Sequence, residues 1–312
     1  MLSQEKIVVA KNVVEKLAQI QDEHRVYNTS EDGARLFGFN KNILEQLVEA
    51  GASYQTHDAI MMFDSDDLYN YSLYLELPSI HKLAMRSWAK VFKNSSGNKK
   101  IKISYSFQND VKLPNKFQVI TEKEKRSEMI ISEPKSFYQS EIVIRNELID
   151  LPNTIKSLLI ELSEGIEFYM LHDAIRWDTD FIAKHKMAEC GGFSKLVMEQ
   201  ALIIGHEARQ VFGVMLSEPY GTGHYWVEFK IGTDWIAVDP LMIVLLTTHT
   251  TLSPEDWKLY RIPFGVLLRL FVIKDYDSIG APCFEYDGGQ QFFKHPIVTS
   301  GDTEYPLTFS IT

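Results

Sequence analysis

The chain has 312 residues, of which 45% are hydrophobic, and its formal net charge is −10 at pH 7. This length predicts two domains with a buried core in each. The longest apolar runs, at 241–246 and 265–273, are too short or too charged to span a bilayer, and Met1 to Ile20 has an amphipathic helix pattern instead of a signal peptide. We therefore expect a soluble, cytoplasmic protein with reduced thiols.

The N-terminal part of the chain is predicted to be mainly helical. Apolar residues recur at helical spacing in three segments, 4–20, 41–50 and 80–92. Asn40 and Gly51 are suitable caps for the second of these helices. Two alternating segments then predict a β-hairpin with strands at 101–107 and 116–121. We place the domain boundary between 94 and 134, which gives a helical domain with a basic hairpin at 1–134 and a second domain at 135–312.

The second domain is predicted to mix helices with antiparallel strands. The helical patterns lie at 138–149, 153–162, 164–177 and from Cys190 onward. The strand patterns lie at 208–216, 224–230 and 234–239, followed by a helix at 253–261 and β-rich sequence to the end. We expect an α+β fold, preceded by the mainly helical N-terminal domain.

Positive charge is concentrated between Ser79 and Arg126. Twelve Lys and Arg residues stand there against three Asp and Glu residues, a net charge of 12 − 3 = +9. Lys82, Arg86 and Lys90 recur at a spacing of four and share one helix face. Together with Lys99 and Lys100 they form a candidate docking face for an acidic partner. A solvated surface that balances acidic neighbours is the alternative, and a winged-helix reader of nucleic acid is less favoured because no basic terminal arm accompanies it.

Cys190 opens a helical pattern, directly before Gly191 and Gly192, that ends at Gly205. A thiol in the first turn of a helix lies at the positive end of the helix dipole, which favours the thiolate. With a histidine beside it, such a cysteine can rest as a thiolate paired with an imidazolium. The amide of Cys190 is a natural donor to an oxyanion, and Trp177 is the candidate for a second donor.

His224 and Asp239 are predicted to meet across a tight hairpin. If the turn centres on Ile231 and Gly232, Lys230 faces Thr233 and His224 faces Asp239. Opposite residues of an antiparallel pair lie on one face with Cβ atoms about 5 Å apart, so the imidazole and the carboxylate can hydrogen-bond. This arrangement predicts a nucleophile, a base and an orienting acid: Cys190, His224 and Asp239. Trp226 shares the face of His224 and could wall a substrate channel, although simple packing explains it equally well.

The phrases that contain these residues resemble the catalytic core of the transglutaminase-like superfamily. In that family a cysteine begins a helix, a phrase resembling G-x-x-A-R-x-V-x-G follows on a strand, and an H-x-W-V-E strand leads to W-x-x-x-D-P. The matching phrases here are at 205–213, 224–228 and 235–240. The resemblance implies a papain/transglutaminase-like core, with the cysteine helix packed on an antiparallel sheet that carries the histidine and the aspartate. Tyr225 stands where a small residue is more usual, which narrows the site.

The resemblance implies an acyltransferase that forms an amide bond through an acyl-enzyme thioester. Some members of the superfamily join acyl groups held on carrier proteins during peptide antibiotic assembly, and a small acidic phosphopantetheinyl carrier protein would suit the basic segment. A cytoplasmic cysteine peptidase or glutamine deamidase with the same triad is the first alternative, and a non-enzymatic interaction module is the second.

No metal or other cofactor is expected. The two cysteines of the chain give no zinc pattern. Asp64, Asp66 and Asp67 lack the glycine and the terminal glutamate of a calcium-binding EF-hand loop. These three aspartates are predicted to form a solvated acidic loop or a helix start.

Overall fold

The computed structural model describes residues 1–93, 99–105, 116–120, 126–130, 138–144, 150–217, 220–253, 266–276, 282–285, 297–300 and 303–305. Helices and antiparallel sheets occur together in these residues, which confirms the predicted α+β class. Within them, no helix combines the length and the apolar character that crossing a bilayer requires.

The N-terminal part contains four helices and a small antiparallel sheet of strand order β1-β3-β2. The elements are α1 (Gln4–Leu17), β1 (Tyr27–Ser30), α2 (Lys41–Glu49), β2 (Gln55–His57), β3 (Ile60–Asp64), α3 (Ser65–Tyr74) and α4 (Ile80–Lys93). The three predicted helices are confirmed as α1, α2 and α4. Local chemistry sets the limits of α2, because the Asn40 side chain accepts from the N–H of Ile43 and Gly51 adopts a positive φ of 104°.

The middle of the chain supplies four strands, β4 (Lys99–Tyr105), β5 (Lys116–Ile120), β6 (Arg126–Ile130) and β7 (Tyr138–Ile144). The predicted hairpin of 101–107 with 116–121 is wrong, because β4 pairs with β7 whereas β5 pairs with β6. The helix predicted at 138–149 is also wrong, since 138–144 form β7. Its β-branched run from Ile142 to Ile144 suits a strand better than a helix.

The C-terminal half is built around a five-stranded antiparallel sheet. In chain order its elements are α5 (Asn153–Ser163), β8 (Glu167–Phe168), α6 (Thr179–His185), β9 (Met187–Ala188), α7 (Cys190–Ile203), β10 (Ala208–Met215), β11 (Thr222–Ile231), β12 (Asp234–Val238), α8 (Pro240–His249), β13 (Leu267–Tyr276), β14 (Pro282–Glu285), β15 (Ile297–Ser300) and β16 (Thr303–Tyr305). The sheet has the order β12-β11-β10-β13-β14, and a four-stranded sheet has the order β16-β15-β4-β7.

Two helices predicted in this half are not found in the described residues. The helix at 164–177 is wrong, because Gly165 turns the chain with a φ of 70° and β8 follows directly. The helix at 253–261 lies outside the described residues except for Ser253. Helix α8 was not predicted, although Pro240 in its first turn and the side chain of Asp239 as its cap are typical helix-start signals.

The central sheet is covered on both faces. Val227 and Phe229 of β11 join a hydrophobic cluster that contains residues of α7 and α5. The preceding residue, Trp226, points to the other face, where it packs in a second cluster with residues of α4 and α8. The first cluster continues without interruption into α1, α2 and α3. The domain division at 134 stays a prediction.

A pair of hydrogen bonds ties α3 to the chain segment that leads to the cysteine helix. The Asn70 side chain donates to the carbonyl oxygen of Met170 at 2.9 Å and accepts from the N–H of the same residue at 2.8 Å. Asn70 is fully buried. A side-chain amide therefore satisfies both backbone groups of Met170, as a neighbouring strand would do.

Candidate active site

The start of α7 is fixed by its neighbours on both sides. Strand β9 pairs in parallel with β8, and the N–H of Tyr169 donates to the carbonyl oxygen of Ala188 at 2.9 Å. Glu189 then caps the helix, since its Oε1 accepts from the N–H of Gly192 at 3.0 Å. Cys190 is therefore the first residue of a helix whose position is set by the preceding strand.

The two glycines after Cys190 allow a close approach that no other residue would permit. A Cβ atom on Gly191 would lie 2.5 Å from Cη2 of Trp177, and one on Gly192 would lie 2.0 Å from the carbonyl oxygen of Arg176. The segment 176–177 thus packs directly against the first turn of α7. This contact places the Trp177 ring beside the candidate nucleophile.

His224 and Asp239 come together, although not through the predicted register. The hairpin pairs Ile231 with Asp234 and Val227 with Val238, so its turn consists of Gly232 and Thr233. Gly232 carries the positive φ of 60° that this turn requires. The predicted turn at 231–232 is wrong by one position, and the register differs by two residues. A shift of two preserves the face on which each side chain lies, so the two groups still share one side of the sheet.

Asp239 binds two groups at once. Its Oδ1 accepts from the N–H of Met242 at 2.9 Å and caps α8, while its Oδ2 contacts Nε2 of His224. Both His224 and Asp239 are 4% exposed. Because Asp239 sits at the junction of β12 and α8, the helix start holds the carboxylate in the orientation that meets the imidazole.

His224 is held in its charged form. Burial alone would lower the pKa of the imidazole, but the negative charge of Asp239, with a smaller contribution from Cys190, raises the pKa to about 10. The Cys190 thiol is also a hydrogen-bond partner of His224. The three side chains therefore form one connected group at the edge of the sheet.

Cys190 is half-buried and its thiol is held in the neutral form. Burial and the carboxylate of Glu189 raise the pKa of the thiol, and they outweigh His224 and the backbone N–H of Tyr225, which lower it. The expected resting thiolate is therefore not what the structure favours. Burial is the largest cause of the raised pKa, and Glu189, a buried anion next to the sulfur, is the second.

Aromatic rings surround the sulfur at different depths. Trp177 and Tyr225 meet edge to face with ring centroids 5.2 Å apart. Trp226 stacks on His224 at 6.3 Å and is only 1% exposed, so in this structure it supports the histidine from within the core. Tyr69 of α3 interacts electrostatically with Cys190, which brings the N-terminal part of the chain to the site. A substrate-contacting role for Trp177 and Tyr225 stays a prediction.

The candidate docking residues lie on α4 and β4. Arg86 and Lys90 are exposed, while Lys82 is half-buried and pairs with Glu76 at 3.3 Å. The backbone of Lys99 and Lys100 belongs to β4, and their side chains lie outside the described residues.

The acidic cluster is the start of α3, not a solvated loop, with Asp64 and Asp67 buried and Asp66 half-buried. Asp64 caps α3 by accepting from the N–H groups of Asp66 and Asp67, and it lies 3.1 Å from Nε2 of His172. Asp64, Asp66 and His172 offer ligand atoms within 4.8 Å of one another, close enough to share a cation. The Asp64 carboxylate is already occupied by three backbone N–H groups, because Val26 donates to its other oxygen. Its contacts are those of a helix cap.

The site is thus an α+β arrangement in which a helix that begins at a cysteine packs on an antiparallel sheet that carries the histidine, with an aspartate at the end of the neighbouring strand. Residues 158–240 match the model of the transglutaminase-like superfamily. This part of the chain is a transglutaminase-like superfamily domain, and it contains Cys190, His224 and Asp239. No curated protein matches the chain at a significant level.

Two groups at the site were missed by sequence reasoning. Glu189 precedes the cysteine and touches its sulfur, and Gln210 of β10 donates to the carbonyl oxygen of Gly191 at 2.7 Å and to Oγ of Ser194 at 2.6 Å. Gln210 is completely buried and so locks α7 onto the sheet. A polar residue within the otherwise apolar alternation of β10 was the available signal for Gln210.

Proposed function

We propose that this protein is a cysteine-dependent acyltransferase that forms an amide bond. The observation that carries the proposal is the contact of the Cys190 thiol with an imidazole that Asp239 holds from behind. The reactive form has one proton on the Cys190–His224 pair, as a thiolate beside an imidazolium. This form is reached when the pair loses one proton.

The first half-reaction makes an acyl-enzyme. The sulfur of Cys190 attacks the carbonyl carbon of an acyl donor and forms the new S–C bond. The bond from that carbon to the leaving group then breaks, and His224 gives its proton to the departing group. The N–H groups at the start of α7, with that of Cys190 first, are suited to stabilise the negative oxygen in between.

The second half-reaction releases the product. An amine attacks the thioester carbon, its proton passes to His224, and the C–S bond breaks to give an amide and the sulfur anion. Asp239 keeps the imidazole oriented in both directions of proton transfer. Water in place of the amine would make the same site a peptidase or a glutamine deamidase, which is the alternative function.

We further propose that the acyl donor is held by a small acidic carrier protein, in peptide antibiotic biosynthesis. A surface depression of about 570 Å³ lies beside the first half of α4. Its lining holds three cations against one anion, Glu76, which pairs with Lys82. The cations are Arg35, Lys82 and Arg86, and the exposed apolar side chains Leu36 and Leu83 lie beside the half-buried Tyr220. Tyr220 stands four residues before His224, and its carbonyl oxygen accepts from Nε1 of Trp88 on α4 at 2.6 Å. The depression therefore suits an anionic partner that reaches toward the cysteine.

Intact-protein mass spectrometry tests this function. The protein is incubated with an acyl-loaded carrier protein, and Cys190→Ala is compared with the matched thiol variant Cys283→Ala. An acyl adduct on wild type and Cys283→Ala, absent from Cys190→Ala and discharged by an added amine as an amide, supports the acyltransferase. Cleavage of casein or release of ammonia from glutamine, without an amine-dischargeable adduct, would support the hydrolase instead.

A non-enzymatic interaction module is the remaining alternative, and thiol reactivity separates it from both enzymes. Iodoacetamide should label Cys190 at a rate that changes in His224→Ala, because the imidazole is an electrostatic partner of the sulfur. Equal and slow labelling in both proteins would favour the module.

A further inference from the structure

A buried carboxylate competes with the imidazole for the candidate nucleophile. Oε2 of Glu189 lies 3.3 Å from Sγ of Cys190, and the thiol donates to it. Glu189 is only 1% exposed, so little water screens this contact. The sulfur therefore has an acceptor on the helix side and the imidazole on the sheet side.

Arg176 keeps this carboxylate in place and charged. Its Nη2 donates to Oε2 of Glu189 at 3.1 Å, and its Nε donates to Oε1 at 3.4 Å. Burial opposes the charge of Glu189, but Arg176 and the N–H groups of Gly191 and Gly192 lower the pKa of the carboxyl. One guanidinium that donates twice and two backbone N–H groups thus hold the carboxylate in place and favour its charged form.

We propose that Glu189, held by Arg176, is a positioning residue that keeps the Cys190 thiol protonated in the resting site, with the thiol proton directed to its carboxylate. This inference rests on the proposed function, in which the sulfur of Cys190 is the nucleophile. A protonated thiol reacts slowly with electrophiles and oxidants, because the thiolate is the reactive species. Glu189 thereby lowers the reactivity of the Cys190 sulfur between turnovers.

The charged and titratable groups around the sulfur come from four elements or segments. They are Glu189 beside the start of α7, His224 and Tyr225 on β11, Arg176 before α6 and Tyr69 on α3. Arg176 is a cation that interacts electrostatically with Cys190 and favours the thiolate, while it also pairs with Glu189. The neutral thiol is thus explained by Glu189 and by burial, and Glu189 can be changed without altering the other four groups.

The test is the pH dependence of Cys190 alkylation by iodoacetamide, measured in the Cys283→Ala background. Glu189→Gln removes the charge and keeps an oxygen that can cap the N–H of Gly192. We expect the midpoint of the pH profile to fall by about 1–3 pH units, the usual effect of a neighbouring charge. Because a less basic sulfur is also a weaker nucleophile, alkylation at pH 7 should accelerate by only about threefold for each unit.

Glu228→Gln is the matched control. Glu228 is another buried carboxylate, paired with Arg209 at 2.8 Å on the same sheet, and it has no contact with Cys190 among the described residues. Its neutralisation should leave the alkylation midpoint unchanged. Glu189→Asp, which keeps the charge, should retain a midpoint closer to that of wild type than Glu189→Gln does.

The proposal is overturned if Glu189→Gln is folded and its midpoint lies within about 0.3 units of wild type. Should Glu189→Gln fail to fold, Glu189→Asp decides, because its shorter side chain withdraws the charge from the sulfur while the thiol stays buried: a midpoint below that of wild type supports the proposal, and an unchanged midpoint overturns it. Failure of the proposed function would be seen separately. In that case no acyl adduct forms on Cys190, and the midpoint of the alkylation pH profile is unchanged in His224→Ala.

Discussion

Replacing Asp239 by Asn tests the electrostatic basis of the site more directly than any other single change. An Asn can still accept from the N–H of Met242 and cap α8, so the helix start is preserved. The negative charge that raises the pKa of His224 is lost. Burial, which opposes the imidazolium, then dominates, and His224 should be neutral at pH 7 in the variant.

The magnitude follows from the two pKa values of His224. In the folded protein the pKa is about 10, whereas in the unfolded chain it is about 6.5. Between these values the folded protein holds a proton that the unfolded chain has released, so stability falls as the pH rises. This contribution is fully present below pH 6.5 and is lost progressively toward pH 10. At roughly 1.4 kcal/mol per pH unit, loss of the His224 contribution should lower the unfolding free energy of the wild type by about 2–3 kcal/mol between pH 6.5 and 8.5.

The assay is chemical denaturation at pH 6.5, 7.5 and 8.5. The unfolding free energy of wild type should fall by about 2–3 kcal/mol more than that of Asp239→Asn over this range. Asp178→Asn is the control, because Asp178 caps α6 in the same way and contacts no histidine among the described residues. If wild type and Asp239→Asn lose stability in parallel, the charge on His224 does not depend on Asp239 and the reasoning is refuted.

Two further changes test the framework around the site. Gly192→Ala should lower the unfolding free energy by about 1–3 kcal/mol or more, because the new Cβ would lie 2.0 Å from a backbone oxygen. Gly205→Ala is the comparison: its Cβ would be in open space at a positive φ of 84°, so it should cost only about 1 kcal/mol. Equal losses in thermal or denaturant unfolding would contradict this expectation. Asn40→Ala should remove the cap of α2 and lower the unfolding free energy by about 1 kcal/mol. The alkylation rate of Cys190 should stay unchanged in this variant. A slower rate would show that α2 influences the site.

Sequence reasoning located the candidate site because each of its three side chains carries a local signal. Cys190 stands before two glycines at a helix start, His224 lies in a cleanly alternating strand, and Asp239 ends the next strand pattern directly before Pro240. The hairpin register was missed by two residues because Gly232 could occupy either central position of a two-residue turn. The error did not separate His224 from Asp239, since the side-chain period of a strand is two.

The rest could not be predicted, because it depends on contacts between distant parts of the chain. Strand β7 pairs with β4, which lies more than thirty residues earlier, so its partner could not be found from nearby residues, although the β-branched run from Ile142 to Ile144 was a local signal for a strand. The influence of Glu189 on the sulfur depends on Arg176, which is folded against it by the close approach at Gly192. A carboxylate beside a cysteine in sequence does not reveal whether it points at the thiol or into solvent.

The double hydrogen bond between Asn70 and Met170 limits how this protein can be divided into fragments. An isolated fragment covering only 158–240 would lose that amide and leave both polar groups of Met170 to find other donors and acceptors. It would also expose to water the apolar side chains that α1 to α3 now cover. Attempts to express the superfamily segment alone should therefore yield an aggregating product, and work on its chemistry needs the N-terminal helices in place.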